Sequence, residues 1–288
     1  MLNRKIIYSI LAMFLALGVV LFLIIQFSLQ NQNSKVIFFD VGQGDAILVS
    51  RGQNQVLIDG GKDSKIILEK LGRYIPFWDR TIEAVIVTHP DQDHIGGLIG
   101  VARNYEIRTV LETSVGSDSQ TYEIWEKLIR EKNIQKIEAV KNTIIQFPEK
   151  AQIEVIYSGV KVSGAKKESN DWSVVTKLNF SENKFLFTGD LPSDKEAELI
   201  KDEHNDMSVN VLKVSHHGSK YATSAEFLEA VSPEEAVISV GKNNSYGHPA
   251  AEIIERLLQR GIKIWRTDEL GDIKYICADS QKRCSVVN

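Results

Sequence analysis

The chain has 288 residues, 43% of them apolar and 25% charged, with a formal net charge of −4. That length fits one large domain or two small ones, and the balance excludes a disordered chain. Two cysteines are too few for a disulfide-built scaffold, and the mild acidity argues against a nucleic-acid coat protein while leaving room for an enzyme with a local basic patch.

Ile6–Ile25 carries no charge and is rich in Leu, Ile, Val and Phe. As a helix it would span about 30 Å, the thickness of a bilayer core. Arg4 and Lys5 precede it and no further charge follows before Lys35, so the positive-inside rule places the N-terminus in the cytoplasm and the rest outside. A cleaved signal peptide is the rival reading. The apolar run is long for one, and Gln26–Gln30 lacks a small-x-small cleavage pattern. The run is apolar on every face, unlike a soluble surface helix. The expected organisation is an anchor over residues 1–27, a polar linker over 28–34 (SLQNQNS) and one domain over 35–288.

The domain opens with short β-prone runs, Val36–Asp40, Asp45–Ser50 and Gln55–Asp59, divided by glycine-containing turns. Ser64–Tyr74 has helical spacing. Ala84–Thr88 is a continuous apolar run, suited to a strand buried on both faces. His89–Asp93 reads as a loop and His94–Asn104 as one helix; Ser119–Lys132 is a further helix. Strands are expected at Ile153–Tyr157, Val174–Phe180 and Lys184–Phe187, then a helix at Ser193–Lys201 with Ser193 as N-cap. Val209–Val214, Ala236–Val240, Ile262–Arg266 and Ile273–Cys277 complete the strands, with helices at Ser224–Val231 and Ala250–Arg260. The pattern suits two sheets packed face to face with helices outside. His89, Asp190 and His216 each sit just past an apolar strand, and such positions collect along one edge of a sheet.

The chemistry concentrates in Thr88-His89-Pro90-Asp91-Gln92-Asp93-His94-Ile95-Gly96-Gly97. His89 and Asp91 alternate along an extended loop and can face the same way. Asp93 and His94 sit at a helix start, and the two glycines permit close approach to another backbone. A capped surface loop would explain one aspartate, but not two histidines and two aspartates at this spacing. Asp190 ends Phe185-Leu186-Phe187-Thr188-Gly189-Asp190, which taken alone reads as a strand ending in a Gly-Asp turn; beside the rest of the motif set it suits a carboxylate bridging two ions. His216 and His217 follow the strand run Val211–Val214. Strand alternation would point only one of them inward, and His216 is taken as the ligand. His217 is then expected near substrate or supporting the ligands; His248 stands before a helix and is expected either at a phosphate or leaving group, as a general acid, or in a helix N-cap region without catalytic duty. His204 reads as a solvated loop residue. Lys213, Lys220 and Lys242 flank the motifs and could meet a phosphate backbone. Cys277 and Cys284 could pair outside the cytoplasm.

These motifs resemble the metallo-β-lactamase superfamily, whose hallmark is H-x-H-x-D-H followed by Gly-Gly. The resemblance covers most of the chain after the apolar segment. F-D-V-G-Q-G-D-A at Phe39–Ala46, L-I-D-G-G at Leu57–Gly61, F-T-G-D at Phe187–Asp190 and S-H-H-G-S at Ser215–Ser219 occur in order. The combination is similar to the hydrolase domain of ComEC-type DNA-uptake proteins. Asp91 replaces the second histidine of the superfamily motif, and between His94 and His204 there is none to supply the isolated third-motif histidine; the resemblance offers Asn170–Asp171 there.

The implied fold is an α/β, αβ/βα four-layer sandwich preceded by one transmembrane helix. The implied metal ligands are His89, Asp91, Asp93, His94, Asp190 and His216, with Asp93, His217 and His248 catalytic. Asp59 is expected to support the metal loop and Asp45 to lie close by. Two divalent ions, zinc or manganese, are expected, and the oxygen-rich ligand set shifts preference toward manganese or magnesium. The leading function is phosphodiester hydrolysis by metal-activated water, with DNA as substrate, outside the cytoplasmic membrane. The alternatives are hydrolysis of a small ester (a phosphocholine-type ester or a lactone) and a non-enzymatic DNA-binding role in uptake.

Overall fold

Hydrophobic alternation and continuous apolar runs resolve into two facing sheets. In this computed structural model residues 4–30, 34–148, 151–159, 169–180, 182–202, 207–277 and 283–287 are described (backbone only for 24–30 and 202). His204 lies outside them. The chain begins with α1 (Arg4–Gln30), β1 (Ser34–Phe38), β2 (Ile47–Arg51), β3 (Asn54–Ile58), α2 (Ser64–Tyr74), β4 (Thr81–Val87), α3 (Gln92–Ile95) and α4 (Leu98–Asn104). It continues through β5 (Glu106–Glu112), α5 (Gln120–Glu131), β6 (Gln135–Glu138), β7 (Ile144–Gln146), β8 (Gln152–Tyr157), β9 (Val175–Phe180), β10 (Asn183–Phe187) and α6 (Ser193–Asp202). It closes with β11 (Val211–Lys213), α7 (Ala225–Val231), β12 (Glu235–Ile238), α8 (Ala251–Gln259), β13 (Lys263–Arg266), α9 (Thr267–Leu270), β14 (Ile273–Cys277) and β15 (Ser285–Val287).

An eight-stranded sheet runs β15-β14-β1-β2-β3-β4-β5-β6, and a seven-stranded sheet runs β13-β12-β11-β10-β9-β8-β7. Strands β3 to β6 are mutually parallel, as are β10 to β13. Between the sheets lies an apolar layer in which Phe38, Phe185, Phe187 and Tyr275 interlock, with the Phe185 and Tyr275 rings 5.3 Å apart. A second layer covers the outside of the first sheet under α2, α4 and α5, and a third covers the second sheet under α6, α7 and α8. The architecture is therefore helix–sheet–sheet–helix, as expected.

Local sequence explains the helices. Ser119 accepts from the Tyr122 amide at 3.2 Å to start α5, and Trp125, Leu128 and Ile129 then fall on its buried face, the three-and-four spacing of an amphipathic helix. Asp63 caps α2 by accepting from the Lys65 and Ile66 amides. Three expectations are corrected. The first helix runs on through Ser28–Gln30, with Ser34 already in β1, so the linker is shorter than 28–34; no glycine or proline interrupts that stretch. Ser193 is the first residue of α6, and its hydroxyl donates to the Tyr221 carbonyl at 2.8 Å instead of capping the helix.

The third correction concerns the expected helix His94–Asn104, which divides into α3 and α4 around Gly96 and Gly97. The pair is pressed onto the loop after β3: Gly97 donates to the Gly61 carbonyl at 2.8 Å, and Gly60 donates to the His94 carbonyl at 2.7 Å. A Cβ on Gly97 would stand 1.9 Å from the Gly60 carbonyl oxygen, so a side chain there must drive two backbones apart. Gly97→Ala is predicted to cost about 1–3 kcal/mol in urea unfolding. Gly72→Ala, in α2 with nothing within 4 Å of its Cβ position, should instead stabilise by roughly 0.5–1 kcal/mol.

Candidate metal centre

The parallel strands all end at one rim, and the polar residues that follow them converge there. Asp59 follows β3, His89 follows β4, Asp190 follows β10 and the His216–His217 pair follows β11. Asp59 is fully buried. Its carboxylate accepts from the Thr88 amide at 2.8 Å and the Thr88 hydroxyl at 2.6 Å, and meets His94 Nδ1 at 2.8 Å. It thereby fixes the metal loop to the neighbouring strand and leaves His94 Nε2 directed into the site.

The other two inner histidines are held the same way. His89 Nδ1 lies 3.0 Å from the Thr88 hydroxyl, and His217 Nδ1 lies 2.9 Å from the Ser239 carbonyl. Each ring thus spends Nδ1 on the protein and turns Nε2 toward Asp190, an arrangement typical of imidazole ligands. His94 and His217 Nε2 are both 3.4 Å from Asp190 Oδ2, and His89 Nε2 is 3.9 Å away.

His216 and His217 do not alternate. Both have left-handed backbone, with φ of 50° and 54°, in a tight turn rather than an extended strand. Both rings therefore reach Asp190, His216 through Nε2 at 3.9 Å. The inner of the two is His217, which is buried and also faces Asp93 Oδ2 at 3.6 Å. His216 is at the mouth, 28% exposed, with Nδ1 at 3.4 Å from the Asn170 side chain. The choice of His216 as the inward ring is thus corrected; the reason is the turn, which breaks the alternation on which that choice rested.

Of the remaining candidates, Asp91 Oδ2 lies 3.7 Å from His89 Nε2 on the open side, and the Asp91 side chain is 40% exposed. Asn170 supplies a buried Oδ1 without a partner beside His216. His248 is half-buried, its ring 5.6 Å from that of His216. Lys220 and Lys242 are exposed near the rim. Lys213 is not: it is fully buried, ion-paired with Asp45, and donates to the Gly189 carbonyl at 3.0 Å. It cannot meet a phosphate backbone, because its ammonium lies behind Asp190, 3.8 Å from Oδ1. In the sequence Lys213 stands inside the expected strand Val209–Val214, unlike Lys220 and Lys242, but strand position alone does not show that its ammonium is buried.

The electrostatics follow from this packing. Burial works against the Asp190 carboxylate, yet the His217 and His94 rings outweigh it and hold its pKa well below the usual range. Burial likewise disfavours a charged His217, but Asp190 and Asp93 push its pKa up to about 9; His94 is raised for the same reason by Asp190 and Asp59. His89 is depressed by burial and by His94, and His248 by burial and its histidine neighbours, to about 4.

The donor set suits divalent cations. Nε2 of His89, His94 and His217 and Oδ1 of Asp190 are buried without hydrogen-bond partners, each an arrangement that costs about 1–3 kcal/mol if left unsatisfied. Ligand atoms of His89, His94 and Asp190 lie within 4.8 Å of one another, as do those of Asp93, His94 and His217. The two groups share His94, and Asp190 stands between the His89 and His217 sides of the cluster.

The family model of the Metallo-beta-lactamase superfamily matches residues 39–242. ComE operon protein 3 of Bacillus subtilis (strain 168) is 30% identical over 274 residues, 89% of this chain and 34% of that protein. Competence protein ComA of Neisseria gonorrhoeae is 26% identical over 245 residues, 85% of this chain and 32% of that protein. The chain thus spans about a third of the length of these relatives. Among solved structures, the metallo-beta-lactamase fold protein YhfI from Bacillus subtilis superposes with a TM-score of 0.56 at 12% identity, covering 84% of this chain and 99% of that one.

Asp59→Asn is predicted to weaken divalent-ion binding by about 10–100-fold, since it loosens the hydrogen bond that aims His94. Titration calorimetry with Zn²⁺ and Mn²⁺ measures this, and unchanged affinity would remove Asp59 from the support of the site.

Proposed function

Because the chain belongs to the metallo-β-lactamase superfamily, we propose that it is a two-metal phosphodiesterase acting on DNA outside the cytoplasmic membrane. The observation that carries the metal reading is the convergence of three buried, unpartnered imidazole Nε2 atoms on the Asp190 carboxylate. Membership of the fold is a weak warrant for substrate; support for DNA comes from the competence proteins among the relatives.

In this reading Asp93, His94 and His217 would hold one ion and His89 and Asp91 the other, with His216 at the rim and Asp190 within reach of both sides. Bound there, a pair of divalent ions supplies Lewis acidity toward the attacking water and the phosphoryl oxygens. Asp93 lies on the open side of the cluster, 30% exposed, and is placed to take the water's proton. His216 and His248 border the entrance and orient the phosphodiester. Lys213 and Asp45 stay behind the site as a buried pair and do not touch substrate. Asp91, in place of an imidazole, makes its subsite oxygen-rich, which suits manganese and phosphoryl ligands better than zinc. Cys277 and Cys284 form a disulfide, which accords with an oxidising location. Arg4–Leu23 lies in a helix long and apolar enough to cross a membrane, and the basic residues before it support the reading of a domain outside.

Metal analysis of protein purified without chelator should find two divalent ions per chain; a protein that stays metal-free when offered Mn²⁺ or Zn²⁺ refutes the site. Turnover should be tested on single-stranded DNA, bis-nitrophenyl phosphate, a phosphocholine ester and a lactone, each with Mn²⁺ and with Zn²⁺. The phosphodiesters should be cut fastest, and Asp93→Ala should lose about 10²–10⁴-fold while retaining its circular dichroism. Metal-dependent cleavage of the lactone alone would leave the fold standing and remove the DNA reading. Protease added to intact spheroplasts should digest the domain; protection until lysis would overturn the topology.

A further inference from the structure

The edge of the first sheet opposite the metal centre carries two exposed aromatic residues that nothing in the catalytic reading uses. Phe77 and Trp78 are 78% and 58% exposed, and their rings meet edge to face at 4.9 Å. They lie in the turn that leads into β4. That strand runs from Thr81 toward His89, so the pair is at the far end of the strand, roughly 25 Å from the metal ligands at the strand rise.

The strand register shows what else occupies this edge. Ser34, the first residue of β1, pairs with Arg51 at the end of β2, and Arg51 pairs with Asn54 at the start of β3. Strand β3 in turn lies parallel to β4 with Val56 opposite Ala84. The starts of β1, β3 and β4 are therefore level. Side chains tie them together: Arg51 donates to the Ser34 hydroxyl at 3.0 Å, and Gln55 donates to Asp79, the residue after Trp78, at 2.8 Å. Only four Cα steps separate Gln30, the end of α1, from Ser34, so the helix end lies within about 14 Å of this edge. Three interstrand spacings, about 14 Å, separate β1 from β4. The aromatic pair thus stands on the same edge as the tether and close beside it.

The surrounding charge fits the same partner. Arg80 is exposed and sits over the Tyr105 ring at 5.4 Å. Arg103, Lys132 and one acid, Glu106, line the adjoining open cleft. Aromatic rings with basic neighbours are the side chains enriched where a protein meets lipid headgroups.

We propose that this edge is a membrane seat: Phe77 and Trp78 enter the headgroup region of the bilayer crossed by the chain's own first helix, with the metal centre held on the side facing away. The proposal rests on the reading of α1 as a membrane anchor. It makes the orientation of the active site a property of the fold, set by two contacts on one edge instead of by a flexible tether.

The test uses the full chain reconstituted in phosphatidylcholine–phosphatidylglycerol vesicles containing lipids brominated near the headgroup end of their acyl chains. The four tryptophans are Trp78, Trp125, Trp172 and Trp265, with none in α1; Trp125 and Trp172 are buried. Brominated lipid should quench the wild-type emission, and Trp78→Phe, conservative at an exposed position, should abolish most of that quenching. An alkaline wash of the same vesicles separates the two ideas. Release of the chain by the wash overturns the anchor and the seat together. A chain that resists the wash, yet shows equal quenching in the wild type and in Trp78→Phe or none in either, overturns the seat alone.

Discussion

A carboxylate buried at Asp190, 3% exposed where the two sheets meet at their rim, sets the terms for everything around it. An isolated charge in that position would cost several kcal/mol in lost hydration. Donor and cationic partners must therefore surround it, and they come from two strand ends and one helix: His89 after β4, Lys213 at the end of β11 with His217 in the turn beyond, and His94 from the helix that follows the loop after β4. The remaining nitrogens of His89, His94 and His217 are taken by protein oxygens. The rings cannot rotate away without breaking those bonds, so the site is rigid before any cation binds. That rigidity is what a metal site gains from its supporting hydrogen bonds.

The Lys213–Asp45 pair shows how the same constraint joins the two sheets. Asp45 precedes β2 in the first sheet and Lys213 ends β11 in the second. Both are buried behind Asp190. Such a pair adds little net stability, but removing one partner leaves a charge uncompensated and costs about 3–5 kcal/mol. Its contribution is geometric: the ammonium sits behind Asp190 Oδ1 while Oδ2 faces the imidazoles. The two oxygens of one carboxylate are thereby given different surroundings.

The parallel strands place this chemistry at one rim of the sandwich and the chain's entry at the opposite edge. In parallel strands all carboxyl ends share one side. Asp59 and His89 therefore lie together, and the starts of β3 and β4 lie together at the other end, level with Ser34. The long axis of the first sheet separates the end at which α1 enters from the end that carries the His and Asp cluster. No loop needs to be long for this, because strand direction alone does it.

Much of this was legible in the residues. The spacing of His89, Asp91, Asp93 and His94, the paired glycines and the apolar runs ahead of Asp190 and His216 all depend on local patterns of period two or on short-range ligand spacing. They indicate strands, a polar rim and a cation without any knowledge of distant contacts. The division of the helix at Gly96 and Gly97 was not legible, because it is dictated by the backbone of Gly60 and Gly61 more than thirty residues earlier. Nor was the inward turn of His217, since the left-handed backbone at both histidines replaces the alternation that an extended strand would impose. Lys213 carries the same letters as Lys220 and Lys242, and only burial against Asp45 and Asp190 makes it part of the site instead of its surface. The sequence by itself determined which chemical groups stand at strand ends, because hydrophobic periodicity is a local property. Which of those groups face one another was decided only by the tertiary structure, because a side chain's direction and charge environment depend on the neighbouring strand and not on the residue beside it in the chain.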